Sequence, residues 1–372
     1  MTIENSRISA GQFMFSIACF LHSSSLLTSF FVIITRNESW MPFVASIIIC
    51  IPLIVSYVLL SKSYPGMNLI QINEAVFGRV AGKIVSALYV WFFFTLTSLN
   101  IRDLGTFVNK TTMVKTPISI IIILFLLLCV WSSYYGLEVV TRYSIVFLII
   151  SCVILFISII AVYDLIELDN FLPMFDMPLN NYVQVSHIAS TIPFGETVIF
   201  LMVTPYVDNA PKNLMRYFLG GFLLGSILIL IVILRDISVL GNTIQYFSLP
   251  SFEVFRLGTL FQTISHMEIM FSILLIVLLY FKISVLFYVT MLAIAQLLNI
   301  RSYRPILLPC AALVVVYAFT AFKDVITHTK TAQETTPFFW TLFEILLPVL
   351  TLIVSFVKKK AKNKNNRKAV SK

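Results

Sequence analysis

Apolar runs of about 20 residues recur along this chain, separated by short polar connections. A helix of about that length crosses the hydrocarbon core of a bilayer. Ten such runs can be marked, at about 10–34, 41–61, 80–107, 117–135, 140–163, 186–205, 214–235, 266–297, 305–322 and 338–357. Helices satisfy their own backbone hydrogen bonds in lipid, so helices rather than sheet are expected. The pattern predicts an all-α integral membrane protein: one transmembrane domain over 1–357, then a basic tail over 358–372. The first run starts too deep and runs too long for a cleavable signal peptide, and it is expected to be retained.

Two runs are interrupted at matching places in the two halves. The first carries His22-Ser23-Ser24-Ser25 and the sixth carries Pro193-Phe194-Gly195-Glu196. Each half also holds a Pro-led amphipathic segment after its second run, Tyr64–Phe77 in one and Pro250–Phe261 in the other. Five runs per half is an odd number, so the second half must be inverted. Repeat one is then about 8–163 and repeat two about 185–357. Paired discontinuous helices in an inverted repeat mark the binding site of one large transporter class.

Composition agrees with a membrane protein. Hydrophobic residues make up 59% and charged residues 12% of the 372, against about a quarter charged in a soluble domain. An even number of spans puts both termini on one side. Nine Lys and Arg fall in the loops of that side and eight more in the tail, against eight on the other side. The positive-inside bias makes both termini cytoplasmic. The tail reads as a topology anchor, or more sharply as a contact for anionic lipid or an acidic partner surface. The net charge of +9 is the tail's making, and no basic face interleaved with aromatics suggests nucleic acid. Cys19, Cys50, Cys129, Cys152 and Cys310 lie in apolar runs without C-x-x-C spacing and read as small buried residues. The histidines have no metal spacing. No catalytic motif is present, so no enzyme and no cofactor are expected.

Several stretches resemble the membrane-embedded B subunits of the nutrient germinant receptors of bacterial endospores. Ile192-Pro193-Phe194-Gly195-Glu196-Thr197-Val198 matches that family's Pro-Phe-Gly-Glu element in the sixth helix. Gly136–Arg142 resembles its Gly-x-Glu…Arg element before the fifth helix, and Pro250-Ser251-Phe252-Glu253 with Arg256 its external segment. The chain departs from the family in its serines where the first helix is often glycine-rich, and in His266-Met267-Glu268 where Arg-x-Glu is common. The resemblance implies the amino acid/polyamine/organocation transporter superfamily, with a LeuT-like five-plus-five inverted repeat and broken helices one and six. It also implies a nutrient-sensing subunit that works with an A subunit and a lipoprotein C subunit in the spore inner membrane. The other function open to this sequence is an autonomous proton-coupled amino acid permease.

The interruptions place the candidate site. Pro193 cannot donate to the helix ladder and disfavours helical geometry at Ile192. Gly195 lets backbone and ligand approach closely. Glu196 adds a charge at mid-membrane, for a ligand or for a packing partner. With Phe194, Ser23 and Ser24, these residues form the expected nutrient site, and Thr95 and Thr290 extend it by their mid-span position. Lys282 sits centrally in the eighth run, where a charge costs about 2.5 to 3.5 kcal/mol. It is read as filling an ion position, or as a structural partner of Glu196 or a carbonyl. Glu138 and Arg142, four apart on one helix face, are an ion pair or a contact to a gate or partner. Arg102-Asp103 and Arg235-Asp236 read as interfacial anchors.

The charge asymmetry puts Asp164–Asp176 and Ser238–Gln262 outside. A single cysteine at Asp169 is therefore expected to react with an impermeant thiol reagent on intact cells, and one at Lys372 only after permeabilisation. Labelling of the tail from outside would reverse the topology.

Overall fold

The apolar runs fold as helices stacked around the two that are interrupted. The structure, a computed structural model, describes residues 7–208, 210–258, 266–322 and 325–370, the side chains at 210–212, 325–326 and 361–370 excepted. Eight helices among these residues are long and apolar enough to cross a membrane: Ala10–Glu38, Trp40–Ser63, Arg79–Thr111, Leu137–Ala161, Leu179–Met202, Asn213–Tyr246, Glu268–Leu297 and Thr336–Lys360. Two shorter apolar helices, Ile118–Tyr134 and Arg304–Thr320, stand where the fourth and ninth spans are expected. The ten are called spans one to ten below. The segment from 259 to 265, expected outside, and the tail side chains beyond Lys360 lie outside the described residues.

Burial sorts centre from rim. In spans one and six, 83% and 89% of the most apolar stretch is buried, against 33% in span five. Span five turns Val146, Ile149, Ile150 and Phe156 outward, and span four Leu124 and Leu127. Outward apolar side chains are stable in lipid, where a surface of leucine is as good as a core. Cys152 follows the same rule. It is exposed and Cys310 is half-buried, so these two depart from the expected burial.

Spans one and six run antiparallel. Ile8, just before span one, pairs with Val207, just after span six. The Ile8 amide donates to the Tyr206 carbonyl and the Asp208 amide to the Ile8 carbonyl, both at 2.9 Å. Between them Phe200 meets Phe13 and Phe20 edge-on at 5.8 and 5.5 Å. The two amphipathic segments become short helices, Leu69–Phe77 and Pro250–Leu257. The first starts later than Pro65 suggests, because Asn68 and Gln71 form a reciprocal capping box there. Lys358 of span ten donates to the Val76 carbonyl at its end. The second is held at the far end of span seven by Ser251 donating to Asp236.

Arg235 and Asp236 are buried, not interfacial. They pair at 2.6 Å, and Arg235 also donates to Ser158 of span five at 2.7 Å. Polar groups below the headgroups need partners, and the bundle supplies them. Arg102 likewise turns inward, donating to the Ala318 carbonyl at 2.8 Å.

Close approach of spans one and seven rests on Gly221 and Gly225, a small-xxx-small spacing. A Cβ on Gly225 would lie 2.7 Å from Leu21 Cβ and 2.9 Å from the Ala18 carbonyl oxygen. Gly225→Val is expected to cost about 1–3 kcal/mol by overpacking, read as a lowered melting temperature of the purified protein. Gly11→Ala is the control: its Cβ meets only Ser9 Oγ, at 3.9 Å. An unchanged Gly225→Val protein would show that this contact is not tight.

Candidate functional site

The two interruptions take different forms. In span one the α-helix Ala10–His22 passes into a 3-10 turn over Ser23–Thr28 and resumes as Ser29–Thr35. The backbone stays right-handed at both junctions, with His22 at φ −62° and Ser29 at φ −57°. The turn tightens rather than opens. No proline or glycine forces a gap, and the hydroxyls take up local carbonyls: Ser23 donates to Phe20 at 2.5 Å and Thr28 to Ser25 at 2.9 Å.

Span six breaks in the backbone itself. Ile192 stands at φ −115°, ψ 101°, where a residue before proline belongs. The chain restarts as a 3-10 helix over Gly195–Met202. Span ten meets this break with an irregularity of its own. Leu342–Leu346 is one π-helical turn, with Glu344 at its centre. Such bulges loosen the ladder, and two tyrosines take the carbonyls they reach. Tyr57 of span two donates to the Glu344 carbonyl, and Tyr89 of span three to that of Phe343 at 2.9 Å. Phe92 stacks on Phe343 with centroids 4.8 Å apart.

Charged side chains converge here. Lys282 Nζ lies 2.6 Å from Glu196 and donates to Ser24 Oγ at 2.7 Å. Its ammonium also sits over the Phe20 ring, 5.0 Å from the centroid. One side chain of span eight therefore clasps both interrupted helices. Lys282 is 0% exposed and Glu196 2%, so the pair is desolvated. Glu344 fills the space over Gly195, whose missing Cβ would collide with its carboxylate. Neither Glu344 oxygen has a hydrogen-bond partner among the described residues.

Of the residues expected at the site, Ser24, Glu196 and Lys282 are in direct contact. Ser23 turns to its own helix. Pro193 and Phe194 are buried, with Phe194 between Phe43 and Phe222 at 5.1 and 5.2 Å. Thr290 bonds to Thr97, at 3.1 Å, and not to Thr95. The Thr95 hydroxyl is buried and has no partner among the described residues. Glu138 and Arg142 do pair, at 2.5 Å, but far from this cluster in exposure: 44% and 60% of their side chains face outward. Sequence reasoning passed over Glu344, although it is the lone charge in its apolar run. An ionisable residue at that depth is itself a signal.

A cavity lies beside the 3-10 turn of span one, apart from the Lys282 cluster. It is about 80 Å³ and is lined by Ser29, Phe30, Asp103, Lys110, Leu249 and His328 among others. Asp103 and His328, both in its lining, are in direct contact at 3.3 Å.

The family follows from comparison of the whole chain. The model of the family described as "Spore germination protein" matches residues 7–326. The chain belongs to the spore germination protein family. Spore germination protein KB of Bacillus subtilis (strain 168) is 22% identical over 376 residues, covering 98% of each chain. YfkT of the same organism is 25% identical over 224 residues, covering 59% of this chain and 60% of its own. The fold is that of LeuT-type transporters. Mhp1, a nucleobase-cation-symport-1 family transporter in a closed conformation with bromovinylhydantoin bound, superposes with a TM-score of 0.63 at 12% identity, over 91% of this chain and 80% of its own. MhsT in complex with L-phenylalanine gives 0.59 at 11%, over 95% and 99%. This germination protein is thus an integral membrane protein of transporter-type architecture, in a family that is not one of enzymes.

Removing one partner of a buried pair leaves an uncompensated charge and costs about 3–5 kcal/mol. Lys282→Met is therefore expected to destabilise the protein strongly, since Glu196 loses its ion-pair partner. Lys282→Met with Glu196→Gln is expected to recover most of the loss, measured as thermal unfolding in detergent. A stable single variant would show that the clasp carries no structural weight.

Proposed function

We propose that this chain is the B-type membrane subunit of a germinant receptor and binds one small nutrient, an amino acid or a sugar, between spans one and six. The observation that carries the reading is the Lys282 clasp at the break of span six. Backbone irregularity and charge at membrane depth are tolerated where they line a cavity or serve a site. The family supports a role in germination, and the fold supports a small-molecule site at mid-membrane. Ser23, Ser24, Pro193, Phe194, Gly195 and Glu196 form the site, Thr95 and Thr290 flank it, and Lys282 stands in for the ion that a transporter of this fold would hold. Binding shifts the packing of the two interrupted spans. A and C subunits in the spore inner membrane sense the shift, with Glu138 and Arg142 as an exposed contact to a gate or partner. Both termini lie in the cytoplasm. The second reading, a proton-coupled permease, draws on the same fold.

Thr95→Val tests the site cleanly. It keeps side-chain volume and removes a hydroxyl that bonds nothing among the described residues, so folding is spared. A lost ligand hydrogen bond of about 1 kcal/mol corresponds to a rise of roughly fivefold in the nutrient needed for half-maximal germination. The assay uses spores whose other receptors are deleted, exposed to single amino acids and sugars, with the level of the protein checked. Ser24→Ala is expected to shift the response in the same direction. An unchanged dose–response in both variants would reject the site. Uptake of labelled nutrient by vesicles holding this chain alone would favour the permease.

A further inference from the structure

The centre of the bundle holds two carboxylates and one ammonium. Lys282 is committed to Glu196 and Ser24. Glu344 is fully buried, and both its oxygens lack hydrogen-bond partners among the described residues. A buried carboxylate left bare is among the most costly arrangements in a protein. Such a group in a native fold calls for an explanation, and the candidates are few: a water, an ion or a proton.

The groups that face Glu344 come from every element packed against it. They are Glu196 beyond Gly195, Lys282 from span eight, Tyr57 and Cys50 from span two, and Tyr89 from span three. Tyr57 and Tyr89 spend their hydroxyl protons on backbone carbonyls of the π-turn. The Cys50 thiol points to the Ser190 carbonyl at 3.6 Å. No cluster of three or more His, Cys, Asp or Glu that could hold a metal ion occurs among the described residues. Two carboxylates that share one ammonium cannot both ionise without cost.

We infer that Glu344 is a proton-binding site, which carries its proton while the π-turn of span ten is packed against the break of span six and gives it up when that packing opens. The neutral acid suits the Gly195 backbone, against which its side chain lies with no room for a methyl group. On opening, the carboxyl O–H bond breaks, its electron pair stays on the carboxylate, and water admitted to the site takes the proton. A proton bound in the packed state alone makes that state less stable as pH rises, by about tenfold in the equilibrium per pH unit. The site is independent of which nutrient, if any, binds beside it.

The test uses the full-length protein in lipid nanodiscs. Its infrared spectrum in neutral buffer is expected to contain the carbonyl stretch of an un-ionised carboxylic acid. That band is expected to vanish in Glu344→Gln and to persist in Glu38→Gln, because Glu38 is already served by the Phe175 and Asp176 amides. The melting temperature of the wild type is expected to fall between about pH 6 and about pH 8, with a shallower fall in Glu344→Gln. Loss of carboxylate absorption instead, with the acid region unchanged, would show an ionised Glu344 and overturn the proposal. If Glu344→Gln does not accumulate, the wild type decides. A melting temperature that rises in sodium or potassium chloride over choline chloride would make a metal cation the occupant. One that falls with pH and ignores the cation supports the proton.

Discussion

A charge in the middle of a membrane bundle dictates what its neighbours do. Lys282 cannot reach water from the centre of a 30-residue helix, so the chain must bring partners to it. It brings one from each interrupted span, Ser24 and Glu196. Spans one, six and eight are thereby fixed in mutual register by a single ammonium, in a region where packing of leucine on leucine specifies little. The aromatic contacts of Phe200 with Phe13 and Phe20 then fill the space that this register creates.

Irregular backbone is concentrated around the same point. The 3-10 turn of span one, the pre-proline kink of span six and the π-turn of span ten are three departures from α-geometry, each supplied with hydrogen-bonding side chains. Serine and threonine hydroxyls serve the first, and tyrosines from spans two and three serve the third. A helix can be loosened in lipid only if another group takes over the freed carbonyl. The tyrosines are therefore conditions for the π-turn, and through it for the position of Glu344.

Much of this was legible in the sequence. The spans show in hydropathy because the bilayer demands a fixed length of apolar helix. The break at Ile192 shows because proline acts on its neighbour through local sterics. Lys282 shows because a lysine among leucines is conspicuous. Local rules did not reveal what depends on distant pairing. The serines of span one suggested an opened helix, yet with no glycine beside them they tighten it. Arg235 and Asp236 sit at a sequence position typical of the interface, but Ser158 and Ser251, far apart in the chain, draw them inward. The bond between Thr290 and Thr97 joins spans eight and three and depends on the rotation of span three, which no local pattern shows. Glu344 was visible in principle, and its meaning came only with the glycine it lies against.

The backbone seam between Ile8 and Val207 has a mechanical corollary. It joins the leading end of span one to the trailing end of span six by backbone, while their opposite ends are tied through side chains: Asn181 donates to the Ile34 carbonyl at 3.4 Å, and Tyr182 and the Phe175 and Asp176 amides donate to Glu38. Two rods joined at both tips do not part like tweezers. Opening toward one tip must release Glu38 from its donors, and opening toward the other must undo the two amide hydrogen bonds of the seam. A sensor can leave that seam closed through its whole working cycle. A pump would have to rip and remake it at every turnover.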